Sequence, residues 1–410
     1  MLIRNLIIFA VLLSLSVLSA AETWQIGANL RYRFESEGKD FNRDTRLNNF
    51  SLLRTRLHAQ FRPTAGVYGF IQFQDARTQG MSFDPYNPFQ FSLYQGYILL
   101  DSLWNFPFSL KLGRYEAVYG NERLIGAIGW SNFGQSFDGV TFKWLLPLGY
   151  IDLFNFKVEE QKRLGDERDT NFLGTWSRLN FGPNLNTDFF ILWNRRIGPG
   201  EMSVLTVGGN TGFTIDDFQL TGEIAMQRGQ SGRQQNIPLV GRGKDVEAFL
   251  LAFNGSYTFS QMPAKPGFTL GLDYLSGDDP STDDVYEAFQ TLYATNHKFY
   301  GMMDYFTNIP LHTISRGLMD VYLGLSSQSF EAFKFSLKGH LFQSARKFTL
   351  MDGSSSNTFG TELDLIIDYQ YNTHAQFQGG AAIFLPGDIF KETRGKDDGL
   401  FFYVSSQFKL

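Results

Sequence analysis

Pairs of arginines two residues apart are the first feature of the sequence that could do chemistry. Arg31 and Arg33 form one pair, Arg54 and Arg56 form another, and Arg62 follows further along. In an extended chain, side chains two residues apart point to the same side. A planar guanidinium group can bind a carboxylate through two parallel hydrogen bonds. The spacing therefore predicts a basic surface on one face of a sheet, suited to carboxylate-bearing ligands.

Other charged residues fall on the polar phase of later segments. These candidate pore-lining residues are Lys143, Glu223, Asp273, Glu362, Asp364 and Asp368. Because acids accompany the bases, two alternatives stay open: the arginines contact a substrate, or they pair with acids across a lumen and stabilise its wall. Arg114 falls on the apolar phase of its segment. Either that segment ends at Gly113 or a bulge turns Arg114 inward, and the family resemblance described below favours the bulge.

The sequence indicates neither catalysis nor a cofactor. None of the five histidines is spaced with a serine as a hydrolase would require, so we expect no enzyme activity. An acidic cluster, which is a weak candidate for Ca²⁺ binding, consists of Asp278, Asp279, Asp283 and Asp284. Its spacing does not fit an EF-hand, so a solvated loop without metal is expected. The net charge of −5 argues against a nucleic-acid partner.

The segments that carry the charges alternate apolar and polar side chains, which is typical of strands. In the first segment Trp24 and Ile26 share one face, whereas Gln25 and Asn29 share the other. About 18 such segments follow one another, among them 108–115 and 137–146. Most of them are long enough to cross a bilayer as tilted strands. Both alternating sets of side chains are apolar in three segments, 171–180, 187–195 and 203–214. The inward face of each of these segments therefore stays undetermined.

The connections between these segments alternate in length. Short ones such as 147–148 and 215–216 alternate with long ones such as 116–136, 159–170, 277–316 and 346–358. Outer-membrane barrels combine short periplasmic turns with long external loops, and lipid does not tolerate an unpaired sheet edge. We therefore predict an all-β fold, a closed antiparallel transmembrane β-barrel of about 18 strands, in the outer membrane of a Gram-negative cell.

Residues 1–21 have the features of a secretory signal peptide. Arg4 precedes a short apolar run, and small residues occupy positions 19–21. We expect cleavage after Ala21, with Ala20 as the alternative site. An uncleaved anchor is disfavoured because the apolar run is short for a membrane-spanning helix. Residues 22–410 would then form a single barrel domain.

Several stretches resemble the alginate export family of outer-membrane proteins. They are LKLGR at 110–114, YGNERLIG at 119–126, WSN at 130–132 with FDGV at 137–140, LDYLSGD at 272–278, TNHKFYG at 295–301 with MDYF at 303–306, and FLPGD at 384–388. The resemblance extends from about residue 24 to the C-terminus. It implies an 18-stranded barrel that passes a polyanionic polysaccharide, such as alginate, through an arginine-lined pore.

These observations predict a channel for hydrophilic solutes, which by resemblance exports an anionic polysaccharide. The alternatives are a general or small-solute diffusion porin, in which mixed lumenal charges orient the permeant, and a non-conducting structural or adhesive barrel. Residues 277–316 are expected either to narrow the pore or to cap its rim, with a short helix at 285–293. The expected partners are outer-membrane lipid, lipopolysaccharide and the barrel-assembly machinery, and a monomer is favoured.

Overall fold

The computed structural model describes residues 23–80, 91–163, 166–198, 200–232, 243–281, 284–329 and 332–410. The predicted signal peptide and Asp283 lie outside these residues. Nineteen strands join in one sheet, and one of them, β14, has only two residues. The other strands form a closed antiparallel barrel of 18 strands. The predicted fold class and strand number are therefore confirmed.

The barrel strands have the following bounds. They are β1 Thr23–Gly38, β2 Asn48–Thr64, β3 Val67–Thr78, β4 Phe91–Leu100, β5 Phe108–Tyr115, β6 Phe137–Leu146, β7 Gly149–Arg163, β8 Asp166–Asn180, β9 Leu185–Ile197, β10 Met202–Ile215, β11 Phe218–Gln230, β12 Asp245–Thr258, β13 Gly267–Leu275, β15 Leu318–Ser329, β16 Phe333–Thr349, β17 Ser355–Gln370, β18 Ala375–Pro386 and β19 Gly399–Lys409. Short α-helices occupy Ile309–His312 and Asp388–Thr393. No helix among the described residues is long and apolar enough to cross a membrane.

The barrel closes because β1 pairs with β2 along one edge and with β19 along the other. Every strand edge is thereby satisfied, as a hydrocarbon environment requires. Side chains alternate between the two faces along each strand. In β12, for example, Val246 and Leu250 are buried, whereas Phe249 and Phe253 are exposed. The exposed phase forms the apolar outer band, and the buried phase faces the lumen.

Two hairpins extend further than the sequence predicts. Residues 159–170 and 346–358 were expected to be loops, but β7 continues to Arg163, β8 starts at Asp166, β16 reaches Thr349 and β17 starts at Ser355. Both extensions lie at the ends farthest from the short connections. Their side chains are largely polar, so the strands continue without the apolar alternation that makes a membrane-spanning strand recognisable.

Two long connections fold into the lumen, and we call them loop A (residues 116–136) and loop B (residues 276–317). Loop A packs Tyr119 on the inward-facing Trp176, with ring centroids 5.3 Å apart. Loop B packs Phe306 on the inward-facing Phe342 at 4.6 Å. The loops also bind each other, since the Tyr293 N–H donates to the carbonyl of Leu124 at 3.0 Å. The two loops thus contact each other as well as the inner wall, and we call the joined pair the partition.

The helix predicted at 285–293 is wrong. Val285–Tyr286 instead forms β14, which pairs in parallel with Asp245 and Val246 of β12. Ala288 and Phe289 follow in irregular chain and are buried. Their helix-like spacing is explained by burial against the inner wall and not by a helix.

The inward faces of β7–β9 carry an aromatic surface, and β10 turns Val204 inward, which resolves the faces that the sequence left undetermined. Phe156, Phe172, Trp176 and Phe190 are each at most 1% exposed. A lumen filled with water would disfavour such a surface. Tyr119 of loop A and Tyr293 of loop B cover it, so both phases of these strands can be apolar.

Candidate functional site

The four arginines predicted from the spacing lie side by side on the inward faces of β1 and β2. Arg31 stands directly opposite Arg54 in the ladder, and Arg56 stands opposite Asn29. Arg31, Arg33, Arg54 and Arg56 are each less than a tenth exposed, and we call them the arginine cluster. Four like charges at this spacing repel one another unless they are compensated.

Loop A supplies part of the compensation through its backbone. Arg31 donates to the carbonyls of Gly129 at 2.7 Å and Ser131 at 2.9 Å. Arg33 donates to the carbonyl of Trp130 at 2.7 Å. Carbonyl dipoles satisfy the guanidinium N–H groups without cancelling a full charge. The cluster therefore anchors loop A, and these backbone contacts do not remove its positive charge.

Carboxylates neutralise only two of the four arginines. Arg33 binds Glu35 at 2.6 Å, and Arg56 binds Glu116 at 3.2 Å. Within the described ranges, neither Arg31 nor Arg54 forms an ion pair. Three buried donors of the cluster also have no acceptor in the described chain: Arg31 Nε, Arg54 Nε and Arg56 Nη2. Unmet buried donors carry a substantial free-energy cost unless a ligand or water binds them.

A stack of side chains connects the arginine cluster to loop B. The guanidinium of Arg33 lies 3.7 Å from the ring centroid of Trp130. Trp130 in turn stacks on His297, with centroids 4.3 Å apart. His297 Nδ1 lies 2.7 Å from Asp304 Oδ1. Movement of either loop would therefore disturb the position of Arg33.

The predicted acids Glu223 and Asp273 lie on β11 and β13 and bind an arginine from loop A. Arg123 contacts Asp273 Oδ2 at 2.7 Å and Glu223 Oε2 at 3.2 Å. Burial lowers the pKa of Arg123, but these two carboxylates outweigh burial and raise it well above its ordinary value. Arg123 also donates to the hydroxyl of Tyr300 at 3.0 Å, which joins loop A to loop B.

The predicted acids Glu362 and Asp364 bind the backbone of loop B. Glu362 accepts from the Met303 N–H at 2.8 Å, and Asp364 accepts from the Met302 N–H at 3.2 Å. Gly301 has φ +82°, and a Cβ there would lie 2.6 Å from Glu362 Oε2. Glycine therefore permits the close approach of loop B to the wall.

The remaining predicted pore residues on inward faces have separate partners. Lys143 lies 3.4 Å from Asp152, Asp368 accepts from Gln378 at 2.7 Å, and Arg62 lies over the Tyr68 ring at 4.3 Å. None of the three contacts the arginine cluster in the described structure.

The prediction that a bulge turns Arg114 inward is wrong. The ladders of β5 with β4 and with β6 run through Arg114 without a shift. Arg114 stays on the outward phase and binds Asp138 at 2.5 Å, where both side chains are largely exposed. The irregularity lies in β4, where the ladder skips Tyr94. Outward Arg114 is tolerated because the pair stands at the end of the strand beside the long connection.

The acidic residues of loop B have protein partners. Asp278 accepts from the Glu287 N–H at 3.1 Å, and Asp279 accepts from Ser281. Within the part of the chain that the structure describes, no group of three His, Cys, Asp or Glu side chains could hold a metal ion. The weak Ca²⁺ candidate thus receives no support from the described residues.

A lumenal cavity of about 420 Å³ borders the arginine cluster. Arg31 and Arg33 line it from β1, and Gln407, Gln376 and Lys338 continue the lining on β19, β18 and β16. The direct ladder partner of Arg31 is Gln407, which in turn stands opposite Gln376. A basic end followed by neutral amides suits a hydrophilic solute that carries a negative charge.

Sequence reasoning identified several wall residues that bind the loops, but not the loop residues that bind the wall. Arg123 and Trp130 lie within the family-like stretches, but their roles depend on contacts with strands about 100 or more positions away. Asp320 and His340, whose nearest atoms lie 2.8 Å apart, are also inward and almost fully buried. The alternation places them on the polar face, but it does not reveal which polar residues meet a loop.

The comparison with family models decides the family. The alginate export family model matches residues 23–403. The chain belongs to the alginate export family. Its resemblance to that family is thereby confirmed, and no curated protein matches the chain.

Solved structures with the same fold are outer-membrane porins. OccAB4 of Acinetobacter baumannii has 12% identity and a TM-score of 0.60, with 96% of this chain and 98% of that chain covered. OprD of Pseudomonas aeruginosa has 12% identity and a TM-score of 0.62, with 94% of each chain covered. OpdK of Pseudomonas aeruginosa, determined with vanillate, has 12% identity and a TM-score of 0.59, with 94% and 98% covered. At this identity the likeness concerns the fold. Together with the family, it supports an outer-membrane channel.

Proposed function

We propose that this member of the alginate export family is an outer-membrane channel that favours anionic, carboxylate-bearing hydrophilic solutes. The observation that carries the proposal is the set of three buried arginine donors without an acceptor, Arg31 Nε, Arg54 Nε and Arg56 Nη2. Of these three residues Arg31 lines the adjacent cavity. A carboxylate entering that cavity would accept from Arg31 and compensate the excess positive charge of the arginine cluster.

The partition favours small solutes in the closed arrangement of the loops. Loops A and B are joined by backbone hydrogen bonds at Gly126, Tyr293 and Thr295, and both are bound to the wall. We propose that loop B narrows the pore. The lumen beside the arginine cluster then admits molecules of limited cross-section, as a small-solute porin would.

The ion selectivity of the reconstituted chain tests the proposal. In planar bilayers with a salt gradient, the wild-type reversal potential should indicate preference for the anion. Replacing Arg31→Gln and Arg54→Gln together should remove most of that preference, because both cations without a carboxylate partner are lost. Arg62→Gln is the control, because Arg62 is more exposed and lies near the short connections. A cation-preferring wild-type channel, or selectivity unchanged in the double variant, would contradict the proposal.

A second candidate is export of an anionic polysaccharide such as alginate, and family membership favours it. A polymer would need the partition to open. Conductance through wild-type protein should then be blocked reversibly by oligouronates added on the periplasmic side. A pore that conducts small anions but is indifferent to oligouronates would leave only the small-solute function. Absence of any conductance would favour a structural or adhesive barrel instead.

A further inference from the structure

A second lumenal cavity lies away from the arginine cluster. It has a volume of about 150 Å³ and lies between loop A and the parts of β8–β12 near the short connections. Its polar lining includes Asn121, Asn186, Asn210, Thr221 and Asn254. We call it the amide cavity.

Charged side chains at the edge of the amide cavity are already neutralised. Arg178 donates to Asp188 through two parallel hydrogen bonds of 2.7 and 2.8 Å. Arg123 binds Glu223 and Asp273 from the other edge. Because each of these two arginines has a carboxylate partner, an incoming anion would meet no free cation here, in contrast to the arginine cluster. The groups left to contact a ligand are neutral amides and hydroxyls.

Several of these neutral groups form a row across neighbouring strands. Asn186 stands opposite Gly212, Gly212 opposite Thr221, and Thr221 opposite Asn254. Neighbouring strands are separated by about 4.8 Å. A Cβ at Gly212 would lie 3.0 Å from Asn186 Oδ1. The missing side chain at Gly212 therefore keeps space open in the middle of the row.

Two amides of the cavity, those of Asn186 and Asn210, have unused hydrogen-bonding capacity, whereas two others are already bonded. Asn121 donates to Glu223 at 2.8 Å, and Asn254 donates to Tyr322 at 3.0 Å. In the described structure the side chains of Asn186 and Asn210 make no such bond. Each amide offers two donors and an oxygen with two lone pairs. Both can therefore donate to and accept from a ligand at once.

We propose that the amide cavity binds a small neutral polyol. Hydroxyl groups both donate and accept hydrogen bonds, as the unused amides do. The volume corresponds to about five water molecules at ~30 Å³ each, which is comparable to a small polyol. A carboxylate would lose hydration in this cavity without gaining a cation. The site is independent of anion passage along the arginine cluster.

Binding of sorbitol to the full chain, refolded in detergent micelles, tests the proposal by saturation-transfer NMR. The wild type should bind sorbitol. Asn186→Leu with Asn210→Leu should weaken binding about tenfold, as expected for the loss of two modest hydrogen bonds. Gln376→Leu is the matched control, because it removes a lumenal amide from the other cavity and should leave sorbitol binding unchanged.

Gly212→Val provides a second variant that fills the gap in the row while favouring the strand. It should weaken sorbitol binding to a similar extent, and it remains informative if the double asparagine variant does not fold. Gluconate, which resembles sorbitol but carries a carboxylate, should bind equally well to wild type and to the asparagine variant. The proposal is overturned if wild type does not bind sorbitol, if the cavity variants bind it normally, if Gln376→Leu weakens it equally, or if gluconate binding falls with that of sorbitol.

Discussion

Two groups of buried charges line different arcs of the same inner wall, and they differ in how completely they are hydrogen-bonded. On β11 and β13, Glu223 and Asp273 share Arg123. On β1 and β2, the arginine cluster has four cations and two carboxylate partners, Glu35 and Glu116. Both groups are similarly buried, so burial does not distinguish them.

This difference in hydrogen bonding separates a structural role of one group from a binding role of the other. Glu223 and Asp273 are compensated by a residue of loop A, so their charges hold the partition in position. The arginine cluster also holds loop A, but it retains three buried donors without acceptors, whereas the acidic group retains one unmet acceptor, Asp273 Oδ1. Unmet hydrogen-bonding capacity, and not charge alone, marks a group that has something left for a ligand.

The largest expected effect comes from removing Arg123. Arg123→Leu leaves Glu223 and Asp273 buried without a cation, which should cost about 3–5 kcal/mol. Arg31→Leu removes an equally buried guanidinium, but it also relieves repulsion within the arginine cluster. Its cost should be about 1–2 kcal/mol, similar to that of its hydrogen bonds to neutral carbonyls. Urea unfolding of both variants in lipid vesicles measures the difference in unfolding free energy. Equal losses would contradict the distinction between the two groups of charges.

A smaller effect is expected at Gly301, where loop B approaches Glu362. Gly301→Ala places a Cβ about 2.6 Å from the carboxylate and should cost about 1–3 kcal/mol through overpacking. Gly353→Ala is the matched control, since Gly353 has a similar positive φ of 84° and no atom within 4 Å of its ideal Cβ. Both variants share the cost of left-handed backbone, so the difference in unfolding free energy isolates the contact. Equal unfolding free energies of the two variants would mean that the packing of loop B does not depend on the close approach of Gly301 to Glu362.

Much of the barrel could be predicted from the sequence because its physics is local. β5 and β6 begin and end at the predicted residues, since apolar alternation and turn residues mark both ends. Where the apolar alternation did not predict the inward face or the secondary structure, contacts with residues distant in the sequence determined it. Phe172 can face inward because Tyr293 of loop B covers it, and Phe190 can do so because it packs on Trp176. At 285–293 the chain begins with a short strand on β12 and not with a helix.

The site was predictable only as a set of inward charges. Spacing of two placed Arg31 and Arg33 on one face, but their partners at Gly129 and Trp130 lie about 100 residues away. Sequence spacing carries no information on such pairings. The same limit explains Arg114, for which the expected bulge lies instead in the neighbouring strand at Tyr94.

Loop B should also respond to acidification through His312. Burial, followed by the positive charge of Arg394, lowers the pKa of His312 below its ordinary value of 6.5. The unfolded chain therefore takes up the proton first, and stability is lost as the pH falls below 6.5. Neutral His312 also accepts the Asn308 N–H at 3.2 Å. Limited proteolysis of loop B at about pH 7.5 and about pH 5.5 should be faster at the lower pH. His312→Gln should reduce that difference, and an unchanged difference would assign the pH response to other groups.

The smallest effect is expected at Arg114, which carries a charge of the same kind on the other face of the wall. Arg114 and Asp138 are both substantially exposed, and pairs of this kind contribute about 0–1 kcal/mol. Arg114→Gln should therefore leave both the unfolding free energy and the ion selectivity almost unchanged. A clear change in selectivity would mean that Arg114 reaches the lumen after all. The wall would then contain a third group of charges, because Arg114 would act on the permeant from the outward phase without belonging to either buried group.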